Sequence, residues 1–263
     1  MSGITFLHHE ETFGNDIMQR GNLMTTITSF TCVRDGVHFI DAWFENVKQA
    51  DQIVIQDGGS TDGTIERLLE LRKTHPNVTL LLQTESNPKY EWVEEEVRNQ
   101  CLSLFKCDFI LLTDVDELID DHFWKWAKET EHKKNGYYIP HRNLWLERDR
   151  FNIQPKWYPD LTMRFFRNRI GLIWLGIRHG SVWRTTEENF AQINPEDEDM
   201  SVVPEDMHIV HYHRAERGYY NAVMEDKTLH HSNEKKNLNE APILIRLRKH
   251  PTGAGLIKPR FQE

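Results

Sequence analysis

Cysteine is scarce: Cys32, Cys101 and Cys107 are the only three in 263 residues, with no Cys-x-x-Cys pair and no even-numbered framework. A disulfide-stapled scaffold is thereby excluded, and a reducing compartment is expected. Basic residues do not predominate either. A formal net charge of −9 argues against general binding of nucleic acid or acidic membrane, because phosphate contacts need a basic face. No apolar run approaches the length of a membrane span, and no apolar signal segment opens the chain. The expected location is the cytoplasm, at most peripheral to a membrane. Internal repeats and low-complexity segments are also missing.

What is present fits a folded α/β protein. A hydrophobic content of 38% beside 28% charged residues is that of a globular chain, long enough for one large domain or two small ones. Eight tryptophans are many, and tryptophan lines binding sites as well as filling cores. The most informative stretch is Phe109-Ile110-Leu111-Leu112-Thr113-Asp114-Val115-Asp116-Glu117. Its apolar run reads as a strand buried on both faces that ends in a cluster of acids. In an open α/β sheet, ligands collect at the carboxyl ends of strands. In extended geometry Asp114 and Asp116 point to the same side, where two carboxylates repel unless a cation lies between them. A hard divalent ion, Mn²⁺ or Mg²⁺, with substrate phosphates completing its shell, meets that need. The plainer alternative is a strand end capped by solvated acids, with Glu117 opening a helix.

Upstream of the acids, strands and helices alternate. Residues 25–30 read as a first strand and 37–47 as a helix, with Phe39, Ile40, Trp43, Phe44 and Val47 at helical spacing. A second buried strand, Ile53-Val54-Ile55, runs into the turn Asp57-Gly58-Gly59-Ser60-Thr61-Asp62-Gly63-Thr64. Asp57, at the strand's carboxyl end, is placed to meet a ligand, whereas Ser60 or Asp62 is better read as the cap of the helix that follows. Residues 78–82 form a third strand and 90–105 a helix. This alternation implies parallel pairing through right-handed crossovers and a sheet covered on both faces. After residue 120 the spacing predicts a helix over 122–130 and strand-like pieces at 136–140, 161–166 and 171–174. Aromatic residues and arginines crowd this half, among them Trp145, Trp157, Tyr158, Arg164, Arg167, Trp174, Arg178 and Trp183. Such a mixture builds a core stitched by ion pairs, or stacks on sugar rings and pairs with phosphates. Residues 195–204 read as an acidic loop and 207–213 as a strand presenting His211 and His213 on one face. A helix is expected at 219–230. The basic tail that follows (Arg246, Arg248, Lys249, Lys258, Arg260) leaves room for an acidic partner.

On Thr26 to Asp62, Arg98 to Glu117, the segment from Tyr158-Pro159-Asp160 to Phe166-Arg167-Asn168, and His211-Tyr212, with the Asp57–Thr64 turn and the Asp114-Val115-Asp116-Glu117 motif as the specific part, the chain resembles family 2 glycosyltransferases of GT-A fold. The likeness is nearest to the bacterial branch with lipopolysaccharide-core glucosyltransferases and covers roughly residues 24–230. It implies an N-terminal extension (1–22), a nucleotide-sugar-binding α/β half (23–120), an acceptor-side half of the same domain (121–232) and a tail (233–263). The sheet would be mostly parallel and flanked by helices, with a smaller mixed C-terminal region.

Position by position, the resemblance implies that Asp57 reads the nucleotide base, while residues 28–35, including Ser29 and Asp35, wall the nucleoside pocket. Asp114 would lie near ribose or metal, and Asp116 would ligate Mn²⁺ or Mg²⁺. His211 would be a metal or diphosphate contact, and Arg164 and Arg167 would hold phosphate or acceptor. The donor would be a nucleoside-diphosphate sugar, UDP-sugar first, and the acceptor a hydroxyl of a glycan or another molecule. A modified nucleobase is the less favoured acceptor. Inverting transfer needs a base for that hydroxyl. The branch has a glutamate where this chain reads Gly180, in Trp174-Leu175-Gly176-Ile177-Arg178-His179-Gly180. Asp160, Glu117 and His179 are therefore the candidate bases, the last because an imidazole titrates near neutral pH. A non-catalytic nucleotide- or glycan-binding protein of the same fold is the rival that Gly180 favours. A nucleotidyltransferase is disfavoured because residues 28–36 hold a single glycine, Gly36, and an Asp-x-Asp-x-Thr phosphohydrolase because Leu118 replaces the threonine.

Overall fold

The computed structural model describes residues 24–83, 94–145, 149–155, 158–168, 171–175, 181–186, 189–212, 244–247 and 249–257. Strand and helix alternate through β1 (Ile27–Val33), α1 (Val37–Val47), β2 (Gln52–Asp57), α2 (Thr64–Thr74) and β3 (Val78–Leu82). Then come α3 (Glu94–Cys101), β4 (Phe109–Leu112), β5 (Glu117–Ile119) and α4 (His122–Glu129). Strands dominate thereafter: β6 (Gly136–Asn143), β7 (Arg150–Asn152), β8 (Asp160–Arg167), β9 (Leu172–Leu175), β10 (Ser181–Thr185) and β11 (Phe190–Gln192), then β12 (Met200–Val202), β13 (Ile209–His211) and β14 (Leu244–Arg246).

The main sheet runs β3-β2-β1-β4-β8-β6-β13-β5, with β12 pairing the first half of β6. Pairing is parallel between β1 and β2, β1 and β4, β2 and β3, and between β6 and both β12 and β13. It is antiparallel where β8 joins β4 and β6, and where β5 joins β13. The sheet is thus mostly parallel, and its parallel strands end along one edge. Alternation along each strand feeds two separate cores. Ile53, Ile55, Phe109 and Leu111 pack with Trp43, Leu68 and Phe123 of α1, α2 and α4. Val54, Ile110 and Leu112 face the other way, onto Cys101 of α3 and Trp174 and Val182 of β9 and β10. An α/β sheet flanked by helices, with smaller mixed sheets β11-β10-β9 and β14-β7 in the C-terminal half, is the architecture expected from the sequence.

Several local expectations change. Residues 28–33 belong to β1 and not to a loop, because the β-branched run continues through Thr31 to Val33 in register with β2. The helix expected at 90–105 is α3 over Glu94–Cys101, tightened into a 3₁₀ turn at Leu102–Leu104, with 90–93 outside the described residues. The acidic loop at 195–204 contains β12, and the expected tail contributes β14. Residues 1–22, His213 and the helix expected at 219–230 lie outside the described residues. Among the described residues no helix is long and apolar enough to cross a membrane.

The described part of the basic segment is built into the fold. β14 pairs with β7, Leu247 and Ile257 are buried, and Asp121 accepts hydrogen bonds from the backbone N–H (2.7 Å) and hydroxyl (2.5 Å) of Thr252. Gly253 has φ 96, and a Cβ there would collide with the Ala42 carbonyl of α1. Gly253→Ala is therefore expected to cost about 1–3 kcal/mol through strain and displacement of this segment. A lower urea midpoint at unchanged m-value checks it; an unchanged midpoint would mean that the segment contributes nothing to stability.

Candidate active site at the carboxyl edge of the sheet

The acids after β4 lie in a turn, not in an extended strand. The chain leaves β4 at Leu112, and the Glu117 N–H donates to the Asp114 carbonyl at 2.9 Å, closing a tight turn. Glu117 returns the contact, its carboxylate accepting the Asp114 N–H at 2.9 Å, and opens β5 instead of a helix. The expectation that Asp114 and Asp116 share one side of a strand is corrected accordingly, since the turn aims them at different partners. Two contacts from α1 steady the turn. Trp43 Nε1 donates to the Thr113 hydroxyl (2.9 Å), and Asn46 satisfies both the N–H and the carbonyl of Ile119 on the outer edge of β5, each at 2.9 Å.

Glu117 is 2% exposed. Its Oε1 accepts from Arg164 at 2.6 Å and faces His141 Nε2 at 3.2 Å. Burial opposes its ionisation, but the Arg164 guanidinium, His141 and His211 outweigh burial and hold the carboxyl at about 2. Burial likewise opposes the charge on Arg164, and Glu117 and Asp114 more than offset it, raising the guanidinium further above its ordinary value. Arg164 also reaches Asp114 Oδ2 (3.2 Å), while Arg98 of α3 reaches Asp114 Oδ1 (3.3 Å). Asp114, its side chain 37% exposed, is thus a carboxylate clamped between two arginines.

Asp116 turns toward the neighbouring strand. Its Oδ2 lies 3.3 Å from His211 Nε2, at the carboxyl end of β13. Sheet register places His211 beside Asn143 of β6 on one side and Glu117 of β5 on the other. Asn143 Oδ1 accepts from His211 Nδ1 at 2.8 Å, and Asn143 Nδ2 donates to Asp160 Oδ2 at 3.1 Å. An imidazole nitrogen and a carboxylate oxygen converging in this way are a donor set suited to Mn²⁺ or Mg²⁺. No group of three or more His, Cys, Asp or Glu side chains among the described residues is disposed to hold a metal. A cation between Asp116 and His211 would therefore need the rest of its shell from outside this pair.

Beside these residues, the turn after β2 is knotted to the turn after β1. Asp57 has no exposed surface. Its Oδ1 accepts the N–H groups of Gly59 and Ser60 (both 2.9 Å), and its Oδ2 accepts the Ser60 hydroxyl (2.6 Å). Ser60 Oγ in turn accepts the N–H of Asp35, a residue held at φ 53, and Asp35 Oδ1 accepts the Thr61 N–H (2.8 Å). Asp62 bonds the N–H of Thr64 and the N–H of Val37, the first residues of α2 and α1. Burial works against its charge, but these bonds and the Thr64 hydroxyl hold its carboxyl below the ordinary value. Asp62 therefore serves two helix N-termini, more than the single cap expected of it.

The remaining candidates fall elsewhere. Ser29 is fully buried within β1, between Ile53 and Leu111, and so stands in the sheet and not in a pocket wall. Arg167 pairs with Phe109 at the start of β4, the opposite end from the acids. Its guanidinium lies 4.7 Å from the Phe109 ring centroid and donates to the His132 carbonyl. Arg164, nearer the other end of the same strand, meets Asp114 and Glu117, so the two arginines do not converge on one site. Asp160 is exposed at the start of β8. His179 and Gly180 lie outside the described residues. Arg98, His141 and Asn143 went unassigned from sequence; of these only Arg98 left a trace, as a cation on the face of α3 that carries Cys101.

No protein-family model and no curated protein matches the chain. Among solved structures it is similar to residues 1–349 of S. aureus TarS in complex with UDP-GlcNAc, at 12% identity over 70% of this chain and 58% of that one, with a TM-score of 0.46. It is similar too to the mannosyltransferase PcManGT from Pyrobaculum calidifontis in complex with GDP-Man and Mn²⁺ (17% identity, 72% and 62% covered, TM-score 0.40). A third is the glucosyl-3-phosphoglycerate synthase of Mycobacterium tuberculosis with Mn²⁺, UDP and glucosyl-3-phosphoglycerate (16%, 45% and 44% covered, TM-score 0.33). The chain spans 44–62% of the length of these three. At TM-scores of 0.33–0.46, the likeness is too low to carry a function across.

Proposed function

We propose that the chain is a metal-dependent, inverting glycosyltransferase that moves a sugar from a nucleoside diphosphate, UDP first, to an acceptor hydroxyl. The observation that carries this reading is the convergence of Asp116 Oδ2 and His211 Nε2 at the carboxyl edge, beside an acid turn clamped by arginines. A divalent ion held there would neutralise charge gathering on the leaving diphosphate. The chain's own residues do the rest. The interlocked turns around Asp35 and Asp57 offer a firm wall for the nucleoside. Arg98 and Arg164 neutralise Asp114, so that this carboxylate can lie near an anionic donor without repelling it. In the transfer step the acceptor oxygen forms its bond to the anomeric carbon as the bond to the diphosphate breaks, and a base takes the hydroxyl proton.

Glu117 is not suited to be that base. It is buried, its oxygens are engaged by Arg164, His141 and the Asp114 N–H, and its carboxyl is held at about 2. A base working near neutral pH needs a value close to that pH. His179 and Asp160 remain as candidates, and the hydroxyl-bearing acceptor is a glycan first and a modified nucleobase second.

The test is thermal unfolding with a panel of nucleoside diphosphates and their sugars, with and without Mn²⁺. A ligand at a hundred times its Kd stabilises by about 2.7 kcal/mol, or roughly 5–10 °C for a chain of this size. A Mn²⁺-dependent shift with one diphosphate class is expected, together with transfer when acceptors are supplied. No shift with any member ends the reading. A shift without transfer to any acceptor would favour the binding protein suggested by Gly180.

A further inference from the structure

Arg142, the next-to-last residue of β6, carries a charge that its neighbours do not balance. Its side chain is partly exposed, and the guanidinium lies 5.2 Å from the Phe151 ring centroid. One hydrogen bond holds it, from Nη2 to His208 Nε2 at 3.0 Å, while Nε is buried without a partner. An arginine only donates, so His208 Nε2 must accept, and an imidazole that accepts carries no charge. His208, 2% exposed, is fixed in turn by Asp120, whose Oδ2 accepts its backbone N–H at 2.7 Å and lies 3.4 Å from Nδ1. No carboxylate among the described residues pairs with Arg142 directly, and the imidazole ring stands between it and Asp120. The Tyr158 hydroxyl reaches the same His208 Nε2 at 3.3 Å, with the phenol ring inclined only 19° to the imidazole and packed against Phe151. Two donors, a guanidinium and a phenol, therefore stand side by side at a nitrogen with a single lone pair, which cannot satisfy both.

We propose that Arg142 and Tyr158 form a subsite for an oxyanion, phosphate or carboxylate, carried by the acceptor. A partly buried guanidinium without a counter-charge is costly, and its planar fork matches two oxygens of such a group. The place fits an acceptor. β8 runs antiparallel to both β4 and β6, so β6 ends on the edge that bears the acid turn. Tyr158 stands two residues before Asp160, which opens β8 at that edge. In the sheet order, β8 and β6 lie beyond β4 from β1 and β2, whose turns are the proposed nucleoside wall. An anion held at Arg142 is therefore on the far side of the acid turn from that wall. The assignment to the acceptor rests on the proposed function; the anion site itself does not.

The full chain, Arg142→Met and Tyr158→Phe test it, with inorganic phosphate as the probe and chloride at equal ionic strength as the control. Methionine keeps an unbranched apolar stem against Phe151, and the Tyr158 hydroxyl remains to bond His208, so Arg142→Met is compatible with folding. Binding is followed by thermal unfolding and by the ¹⁵N shifts of the arginine side chains. Phosphate is expected to stabilise the wild type and to move the Arg142 Nε–H signal. Arg142→Met should bind phosphate roughly tenfold more weakly, the loss of one charge-assisted hydrogen bond. Tyr158→Phe should show a smaller loss, because its hydroxyl is a neutral donor. Without phosphate, Arg142→Met should melt at or above the wild-type temperature, since it removes a charge that lacks a partner. Hexose phosphates should bind the wild type more tightly than inorganic phosphate, because the sugar of an acceptor adds contacts that the bare anion lacks.

A wild type indifferent to phosphate, or an equal response from Arg142→Met, would overturn the subsite. A loss of stability in Arg142→Met with its phosphate response intact is the pattern of a purely structural arginine. If no hexose phosphate binds more tightly than inorganic phosphate, the anion is a free one, and the assignment to the acceptor falls while the site stands. Phosphate bound at Arg142 in a chain that takes up no nucleoside diphosphate would remove the proposed function and the acceptor with it, again leaving the anion site.

Discussion

Replacing Arg164 by methionine is expected to destabilise the protein by about 3–5 kcal/mol, because it leaves Glu117 as a buried charge without its main partner. At about 2–4 °C per kcal/mol for a chain of this size, the melting temperature should fall by roughly 10 °C. The loss comes from an unpaired carboxylate more than from a missing bond, so Glu117→Gln in the same chain should restore part of it. A double-mutant cycle measures this coupling, and additive losses would remove the pair from the account of the fold. The pH dependence has a definite sign. The Glu117 carboxyl is depressed from 4.5 to about 2, so its contribution is fully present above pH 4.5 and lost as pH falls toward 2. The stability gap between wild type and Glu117→Gln, measured by urea unfolding, should therefore close across that window. A gap independent of pH would show that the carboxylate is not the stabilising species.

Asp116→Ala should leave the fold intact and remove the transfer proposed for this chain. The Asp116 carbonyl accepts the Tyr212 N–H at 2.9 Å, a backbone contact that alanine keeps. Only the side chain that meets His211 is lost. A cation stabilising a leaving group contributes several kcal/mol to a transition state, so transfer should drop on the order of 10³-fold. The Mn²⁺-dependent part of the nucleotide-induced thermal shift should vanish, while the ligand-free melting temperature stays near that of wild type. Retention of the full shift would take the cation away from Asp116.

The regular elements were legible because their signals are periodic. The helix at 37–47 and the strand at 78–82 are read with their observed ends, from apolar spacing in one and a short, largely apolar run in the other. The acid turn was not legible. Asp-Val-Asp-Glu has the same letters whether extended or folded back, and only Glu117 bonding the Asp114 N–H decides between them. β12 was hidden because three residues in an acidic segment become a strand only through pairing with β6. The clamp on Asp114 and the contacts of Asn143 join residues far apart in sequence, where composition and spacing carry no information. Arg167 shows the converse: a segment can match in letters while the antiparallel run of β8 along β4 carries its second arginine to the end of the sheet away from the acids.

The knot of Asp35, Asp57, Ser60 and Asp62 has a consequence for the thermodynamics of ligand capture. Separate turns at the end of a sheet would each be ordered by an arriving ligand, at an entropic cost drawn from its affinity. Here the two turns share hydrogen bonds from the Asp35 N–H to Ser60, from the Thr61 N–H to Asp35 and from the Val37 N–H to Asp62, so they are ordered together when the chain folds. A ligand would meet a wall whose disorder has already been removed. Its binding entropy would then come from released water and its own lost motion, with little left to collect from the protein.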